Sequence, residues 1–419
     1  MTAKTLNVWW DGSFVGQFAQ DRHGDIRFTY SQAWLDDEKA LPLSASLPKR
    51  PEQFSRRECR PFFGGLLPEE SQRQVAAQAL GVSPANDFAL LDRLGGDVAG
   101  ALQLLPENQK PIEIAPLAKR LPTPLDDAGI VRVLDALPMR PLLAGEEGLS
   151  LSLAGAQSKV PIVLIGEQIA LPLPGQATTH ILKPPIARFE GTTENEAFVM
   201  RLAATIGLDV AQWSQGLLGG VRFSWLKDIT ARAMDAAWCI ASNRKTSAKR
   251  SACHPKRNMR ANGPTFKDCF GLLRRVSARP ATDVLKLLDA AIFNLVVGNA
   301  DAHGKNFSIL YDDQGPRMAP LYDLLSTIAY PDLSPKMAMR IGKRATLAEM
   351  DAVGWQTFAK EAGVGLPLVR RRITDLVDST AEAVARVVED ISDLCIDSAR
   401  INHFADLIAG RAKLVRVSI

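Results

Sequence analysis

The sequence has few cysteines and no long hydrophobic run. Its five cysteines are scattered along 419 residues, and none of them forms a CxxC pair, which is typical of reduced thiols inside a cell. The first residues, MTAKTLNVWWDGSF, contain no apolar signal core, and no stretch of 18 apolar residues follows. We therefore expect a cytoplasmic protein that does not enter a membrane.

The chain also lacks a strong charge of either sign. Its formal net charge is +4, with 50 Lys and Arg against 46 Asp and Glu, and 46% of its residues are hydrophobic. One stretch departs from this balance: residues 243–260, NRKTSAKRSACHPKRNMR, carry seven Lys or Arg and no acidic residue. Because the basicity is local, it is weak evidence that the whole protein binds nucleic acid.

The first half of the chain alternates between strand-like and helical patterns. Residues 5–30 alternate in hydrophobicity around the turn signals Asp11-Gly12 and His23-Gly24, which predicts a small antiparallel sheet. A helical pattern with Pro and Gly breaks extends from about Pro61 to Leu105, and a stretch rich in Pro and charge follows. The short apolar runs LSLSLAG, VPIVLI, QIALPL and HILKPP then predict strands.

The second half is mostly helical. We expect a helix from about Glu194 to Ile206, with Thr193 and Glu196 forming a capping box. The segments FKDCFGLLRRVS and ATDVLKLLDAAIFNLVVG, and most of the chain after Leu347, also have helical spacing, while FSILYDD predicts a strand. The predicted fold is α+β and two-lobed, with a small β-rich N-terminal subdomain and a mostly helical C-terminal lobe. The predicted regions are an N-terminal subdomain (1–106), a connector (107–147), a strand-rich lobe (148–222), an anomalous basic segment (223–262) and the helical lobe (263–419).

The strongest chemical signal is GNADAHGKNFSIL followed by PLYDLL. Asp301 and Asn306 lie five residues apart after an apolar helix, and Asp323 follows 17 residues beyond Asn306. Phosphoryl transfer needs one carboxylate to orient the attacking hydroxyl, and an amide plus a second carboxylate to hold Mg²⁺. The spacing therefore predicts a kinase-type site. The structural alternative is that Asn299 and Asp301 cap a turn.

A kinase also needs a phosphate-covering loop and a lysine on a strand. The loop candidate is SLAGAQSK, residues 152–159, which is a weak match because it lacks GxGxxG. Lys183 in HILKPP ends the strand after it. As an isolated feature, a lysine at a strand end is more often a solvated surface charge.

In this order and spacing, these motifs resemble the HipA family of serine/threonine kinases, the toxins of HipBA-type toxin–antitoxin systems. The resemblance rests on SLAGAQSK, HILKPP, ENEAFVMRLA, NLVVGNADAHGKNFSIL and PLYDLLST. The segments FFGGLLPEE and FALLDRLGGDVAGALQLLP resemble the N-terminal subdomain of that family. The match covers the chain except for about 212–262.

The resemblance implies a role for each matched residue. Asp301 would be the catalytic base, His303 would shape the loop beside it, and Asn306 and Asp323 would be Mg²⁺ ligands. Lys183 would bind phosphate. The remaining ATP-binding positions would be Ser152, Ala154, Gly155, Ala156, Gln157 and Lys159. Ser152 also matches a serine that such kinases phosphorylate in themselves, which would expel the loop and switch the enzyme off.

The resemblance also implies cofactors and partners. ATP and Mg²⁺ would be required, and a HipB-like helix-turn-helix antitoxin would bind the chain. DNA would then be contacted only indirectly, through that antitoxin. Protein substrates of the family include aminoacyl-tRNA synthetases, but no residue of this sequence identifies the substrate.

The basic segment has a second interpretation at the level of the gene. Codons can be chosen for three stretches so that one common frame offset gives other peptides. The offset frame then gives EDFCQAL for Arg244–Ser251, TKYE for Lys256–Arg260 and LLVERYNR for Phe223–Ala231. All three resemble family motifs, in the correct order. We therefore hypothesise that roughly residues 213–260 are out-of-frame between two compensating indels, and we expect poor packing over 224–262 and an impaired nucleotide pocket. The alternative is a genuine lineage-specific basic insertion.

Two other functions stay open from the sequence. The chain could be a catalytically dead kinase-like module that binds an antitoxin or DNA through its basic segment. It could also be a small-molecule phosphotransferase with a related Asp-x4-Asn loop, although the N-terminal motifs and SLAGAQSK argue against this.

Overall fold

The computed structural model describes most of the chain and divides it into two units. The described residues are 3–10, 12–44, 46–68, 70–94, 97–98, 102–111, 121–138, 151–152, 157–173, 178–218, 221–227, 233–235, 264–312, 314–392 and 397–419. Of the described residues, the first unit contains those within 1–184 and 216–234, and the second contains those within 185–215, Asp235 and 264–419.

Strands dominate the first unit and helices the second. The strands are β1 (Lys4–Trp10), β2 (Ser13–Gln20), β3 (Ile26–Tyr30), β4 (Asp97–Val98), β5 (Leu102–Pro106), β6 (Leu151–Ser152), β7 (Val160–Ile165), β8 (Gln168–Ala170), β9 (His180–Lys183), β10 (Trp213–Leu218), β11 (Val221–Lys227), β12 (Ala233–Asp235), β13 (Ser308–Asp312), β14 (Gly315–Met318), β15 (Lys336–Ile341) and β16 (Arg344–Thr346). The helices are α1 (Gln32–Asp36), α2 (Arg56–Gly65), α3 (Glu70–Ala79), α4 (Asp87–Leu94), α5 (Asp127–Ala136), α6 (Thr192–Thr205), α7 (Phe266–Val276), α8 (Pro280–Val296), α9 (Ala352–Ala362), α10 (Leu366–Ser392) and α11 (Ser398–Val417). The predicted α+β class, with a β-rich N-terminal part and a mostly helical C-terminal part, is confirmed.

The N-terminal sheet has the order β3-β2-β1-β5-β4-β6. The predicted antiparallel sheet over 5–30 is confirmed, since β1 pairs with β2 and β2 with β3 in antiparallel register. The helical prediction was wrong at its C-terminal end, because Leu102–Pro106 forms β5 beside β1. Its short apolar run is buried, and periodicity does not separate such a strand from a helical segment.

A second sheet, with the order β10-β11-β9-β7-β8, carries the predicted strand lysine at the end of β9. One face of this sheet packs on α5, a helix within the predicted connector. The buried cluster consists of Ile130, Val133, Leu134, Leu137, Val160, Ile162, Ile169, Leu182 and Phe223. Burying such aliphatic and aromatic side chains is the main force that holds the helix on the sheet.

The start of the anomalous segment is ordered as a strand. β11 is internal to this sheet and pairs with β9, with Ser224 opposite Lys183 and Lys227 opposite His180. The backbone hydrogen bonds of 224–227 therefore complete the sheet whatever side chains these residues carry, and the expectation of poor packing over 224–262 stays a prediction. Residues 228–232 and 236–262 of that segment lie outside the described residues.

The second unit surrounds the apolar helix α8, whose residues from Leu287 to Val296 are buried. Helices α7, α9, α10 and α11 match the helical predictions. The predicted capping box of α6 was wrong, because the helix begins at Thr192 and its N-cap is Gly191 at φ 72°. A Cβ on Gly191 would lie 2.3 Å from Arg400 Cδ, so close packing selects glycine here. No helix of the described residues is long and apolar enough to cross a membrane.

We predict that Ser224→Ala stabilises the first unit. Ser224 is 4% exposed, and its hydroxyl has no hydrogen-bond partner among the described residues. Removing an unpaired buried hydroxyl relieves a desolvation cost of about 1 kcal/mol or more. The denaturation midpoint should therefore rise. Ser44→Ala is the matched control: Ser44 is 1% exposed and accepts a hydrogen bond from the Ser46 N–H at 3.0 Å, so this variant should lower the midpoint. A fall in the midpoint of Ser224→Ala equal to that of Ser44→Ala would contradict the prediction.

Candidate active site

The candidate catalytic loop begins at the C-terminus of α8. The helix ends in a Schellman motif, in which Asn299 N–H donates to Asn294 O at 2.8 Å and Gly298 N–H to Leu295 O at 3.3 Å. Gly298 has φ 75°, and a Cβ there would lie 2.7 Å from Ile328 Cδ1. The chain can turn so sharply here only because residue 298 is glycine.

The two predicted metal ligands are in contact. Asn306 Nδ2 donates to Asp323 Oδ2 at 2.9 Å. Asn306 is 7% exposed, and its Oδ1 is buried with no hydrogen-bond partner among the described residues. Asp323 has φ 58°, a left-handed conformation that costs an ordinary residue about 1–2 kcal/mol. An unsatisfied amide oxygen beside a carboxylate is a donor set that fits a hard cation such as Mg²⁺.

This pair does not form a complete metal cage. Within the described residues, no group of three or more His, Cys, Asp and Glu could hold a metal ion. A cation between Asn306 and Asp323 would therefore need further oxygens from phosphate or water. That is the usual arrangement for Mg²⁺ in enzymes that use nucleotides.

The predicted base lies on the same loop. Asp301 is exposed, and its backbone N–H donates to Asn299 Oδ1 at 3.0 Å. Asn299 in turn donates through Nδ2 to Asn294 Oδ1 at 2.8 Å. Asn299 therefore shapes the turn, as the structural alternative supposed, and this leaves the Asp301 carboxylate on the protein surface.

His303 contributes to the loop through its backbone. Its carbonyl accepts from the Asn306 N–H at 3.0 Å. Its Nδ1 is buried without a hydrogen-bond partner among the described residues. His303 therefore shapes the candidate catalytic loop through its backbone carbonyl. Its imidazole Nδ1 is left to bind a group from outside the described residues.

A second segment, residues 326–328, braces the candidate catalytic loop. The Thr327 hydroxyl accepts from Ala300 N–H at 2.8 Å and donates to Gly298 O at 2.9 Å. Ala300 O also accepts from Ala338 N–H at 2.8 Å. Because buried backbone groups are costly to leave unpaired, these bonds fix the path of residues 298–300.

Asn195 of α6 holds the bracing segment. It is fully buried, accepts from Ser326 N–H at 2.7 Å and donates to Ser326 O at 2.9 Å. Its Nδ2 also donates to the Tyr330 hydroxyl at 3.3 Å. Burial raises the pKa of Tyr330, and the hydrogen bond from Asn195 opposes that shift. The sequence analysis missed this role, although Asn195 lies in the ENE motif.

Arg411 of α11 supports the end of α8 that leads into the loop. It is 9% exposed and donates from Nε to Leu295 O at 3.2 Å and from a terminal nitrogen to Leu347 O. Burial lowers the pKa of its guanidinium. A cation at a helix C-terminus interacts favourably with the helix dipole and the last carbonyls.

The predicted ATP-binding residues of the first unit are described only in part. Lys183 is 5% exposed, so its side chain is not a solvated surface charge. Lysines are almost never buried to this extent unless they are paired. Gln157 Nε2 donates to Pro184 O at 3.2 Å and so joins the loop to the end of β9. Lys159 is half-buried, and Ser152 lies on β6 opposite Val98. Ala154, Gly155 and Ala156 lie outside the described residues.

Two family models match the chain. The model described as "HipA-like C-terminal domain" matches residues 151–388, and the model described as "HipA N-terminal domain" matches residues 6–105. The chain belongs to the HipA family. The site described above lies within the region that matches the C-terminal model.

Full-length relatives agree with this assignment. The chain is 77% identical to the "Putative kinase Y4mE" of Sinorhizobium fredii strain NGR234, over 100% of both chains. It is 27% identical to the "Serine/threonine-protein kinase toxin HipA" of Shewanella oneidensis, over 98% of this chain and 96% of that protein. Among solved structures, HipA from the Shewanella oneidensis MR-1 complex of HipA, HipB and operator DNA matches with a TM-score of 0.78 and 23% identity, over 97% of this chain and 96% of that one. This last likeness concerns the fold alone.

We predict that Gly298→Ala loosens the catalytic loop more than its backbone conformation alone explains. The new Cβ adds a clash with Ile328 to the strain of a positive φ. Hydrogen exchange followed by mass spectrometry should show faster exchange in peptides covering 298–306 and 326–328.

Gly81→Ala is the matched control for the conformational strain. Gly81 has φ 65°, and a Cβ there would meet no atom within 4 Å. This variant should lose about 1–2 kcal/mol from left-handed strain alone and leave the exchange of 298–306 unchanged. Unchanged exchange in Gly298→Ala would show that the contact with Ile328 does not fix the loop.

Proposed function

We propose that this chain is an ATP- and Mg²⁺-dependent serine/threonine protein kinase of the HipA toxin type. The observation that carries the proposal is the buried Oδ1 of Asn306, which has no hydrogen-bond partner within the described part of the chain and lies beside the Asp323 carboxylate. The unsatisfied oxygen represents a free-energy cost in the isolated chain. A bound divalent cation would remove that cost.

Each candidate residue has a proposed role. Asp301 is exposed on the loop, where it would accept a hydrogen bond from the substrate hydroxyl, orient it and take its proton. Asn306 and Asp323 would hold Mg²⁺, which when bound with ATP neutralises charge on the phosphates. In the first unit, Lys183 would supply a cation for the phosphates, and the segment from Ser152 to Lys159 would cover them.

Partners and regulation are proposed from the family. The solved relative is described as a complex with HipB and its operator DNA, which supports a HipB-like helix-turn-helix antitoxin as the partner of this chain. DNA would be reached through that antitoxin. We further propose autophosphorylation at Ser152, and a protein substrate whose class includes aminoacyl-tRNA synthetases.

We predict that Asp301→Asn abolishes phosphoryl transfer. The wild-type chain, incubated with radiolabelled ATP and Mg²⁺, should label itself, and mass spectrometry should place the phosphate at Ser152. Asparagine keeps the size of the side chain but cannot take the proton, so labelling should fall by at least about 100-fold. Because Asp301 is exposed, the variant should keep its fold and its denaturation midpoint.

Two controls separate the possible outcomes. Asp406→Asn changes another exposed aspartate, on α11, and should label like the wild type. Ser152→Ala should lose label at position 152 while keeping transfer to other acceptors. No transfer by the wild-type chain would overturn the kinase proposal and favour a module that only binds its partner.

A further inference from the structure

Tyr322 links the two segments that carry the candidate metal ligands. It directly precedes Asp323, and its hydroxyl donates to the backbone carbonyl of Lys305 at 2.6 Å. Lys305 directly precedes Asn306. One hydroxyl group thus connects the residue before one ligand with the residue before the other.

The same hydroxyl contacts a third element. The Tyr322 and Ser308 oxygens lie 2.6 Å apart, and since Tyr322 gives its proton to Lys305 O, Ser308 is the donor in this pair. Ser308 is 4% exposed and begins β13. The short chain of hydrogen bonds therefore joins the metal-ligand segments to a rigid strand, and bonds in such a chain polarise and strengthen one another.

The backbone conformation of Asp323 depends on hydrogen bonds of this kind on either side of it. A non-glycine residue at φ 58° is strained, and such residues persist only where the surrounding structure over-determines them. Tyr322 fixes the chain immediately before Asp323, and the bonds between Asn195 and Ser326 fix it three residues after. The unfavourable backbone conformation is held between these two anchors.

Resting on the proposed kinase function, we propose that Tyr322 is a positioning residue for the metal site. Its hydroxyl keeps Asn306 and Asp323 at the separation that a divalent cation needs. It touches neither substrate nor reacting atoms in this role. Loss of an outer-shell partner of a metal ligand typically weakens metal affinity or activity about 10–100-fold.

The test is Mn²⁺ binding in the presence of ATP, measured by electron paramagnetic resonance on the full chain. Tyr322→Phe should weaken Mn²⁺ binding by about 10-fold or more, while ATP affinity in EDTA stays at the wild-type value. The second measurement shows that the variant is folded and has lost only the metal site. In activity assays, the Mg²⁺ concentration for half-maximal rate should rise.

Tyr30→Phe is the matched control in the first unit. The buried Tyr30 hydroxyl also makes two hydrogen bonds, to Leu47 O at 2.5 Å and from Leu43 N–H at 2.8 Å. This variant should lose stability to a similar degree as Tyr322→Phe but bind Mn²⁺ like the wild type. Where Tyr322→Phe does not fold, Ser308→Ala takes its place, with an expected loss of about threefold to tenfold in Mn²⁺ affinity from one missing hydrogen bond.

The outcomes distinguish this inference from the proposed function. Wild-type protein that binds no Mn²⁺ with ATP would overturn the kinase proposal and the role of Tyr322 with it. Wild-type protein that binds Mn²⁺, together with Tyr322→Phe or its replacement binding within twofold of it, would overturn the role of Tyr322 alone.

Discussion

The backbone carbonyl of Gly298 holds the two loops of the candidate site together. It accepts from Thr327 N–H at 3.1 Å, Ile328 N–H at 3.3 Å and the Thr327 hydroxyl at 2.9 Å. Asp301 follows Gly298 by three residues, and Asp323 precedes Thr327 by four. The position of the proposed base relative to the proposed metal ligands is therefore set by these bonds, before any nucleotide binds. Such preorganisation is the main protein contribution in phosphoryl transfer, where positioning and electrostatics do most of the work.

Helices distant in sequence stabilise this arrangement from outside the loops. Asn195 of α6 holds Ser326, 131 residues away. Glu194, its neighbour, pairs with Arg400 of α11 at 3.2 Å, and Arg400 also contacts Glu190. Both Asn195 and Glu194 are buried. Buried polar groups are kept in folded proteins only when their partners are in place, so the order of the loops depends on the docking of α6 and α11.

The sequence predicted the elements better than it predicted the contacts between them. Helices with strong apolar spacing, such as α7 and α8, and the order Asp301, Asn306, Asp323 could be read from local patterns. The contacts of Asn195, Thr327 and Arg411 could not, because each joins segments that only the tertiary fold brings together. The capping of α6 failed for a related reason: the approach of Arg400, more than 200 residues later, selects a left-handed Gly191 where local pattern favoured a threonine cap.

In strand β11, the backbone pairing and the side chain at position 224 give different information about the anomalous segment. Pairing with β9 uses backbone groups, which every non-proline residue offers, and Phe223 fills the core that α5 covers. The strand therefore forms with the residues of this sequence, and its presence does not decide between an out-of-frame segment and a genuine insertion.

The side chain at position 224 is more informative than the backbone. Ser224 lies opposite Lys183, and its buried hydroxyl meets no hydrogen-bond partner in the part of the chain that the structure describes. Such a side chain is a poor choice for an internal strand, where apolar side chains are favoured. Under the out-of-frame hypothesis, the codon choice that gives LLVERYNR would put leucine at this position, an apolar side chain that suits a buried internal strand.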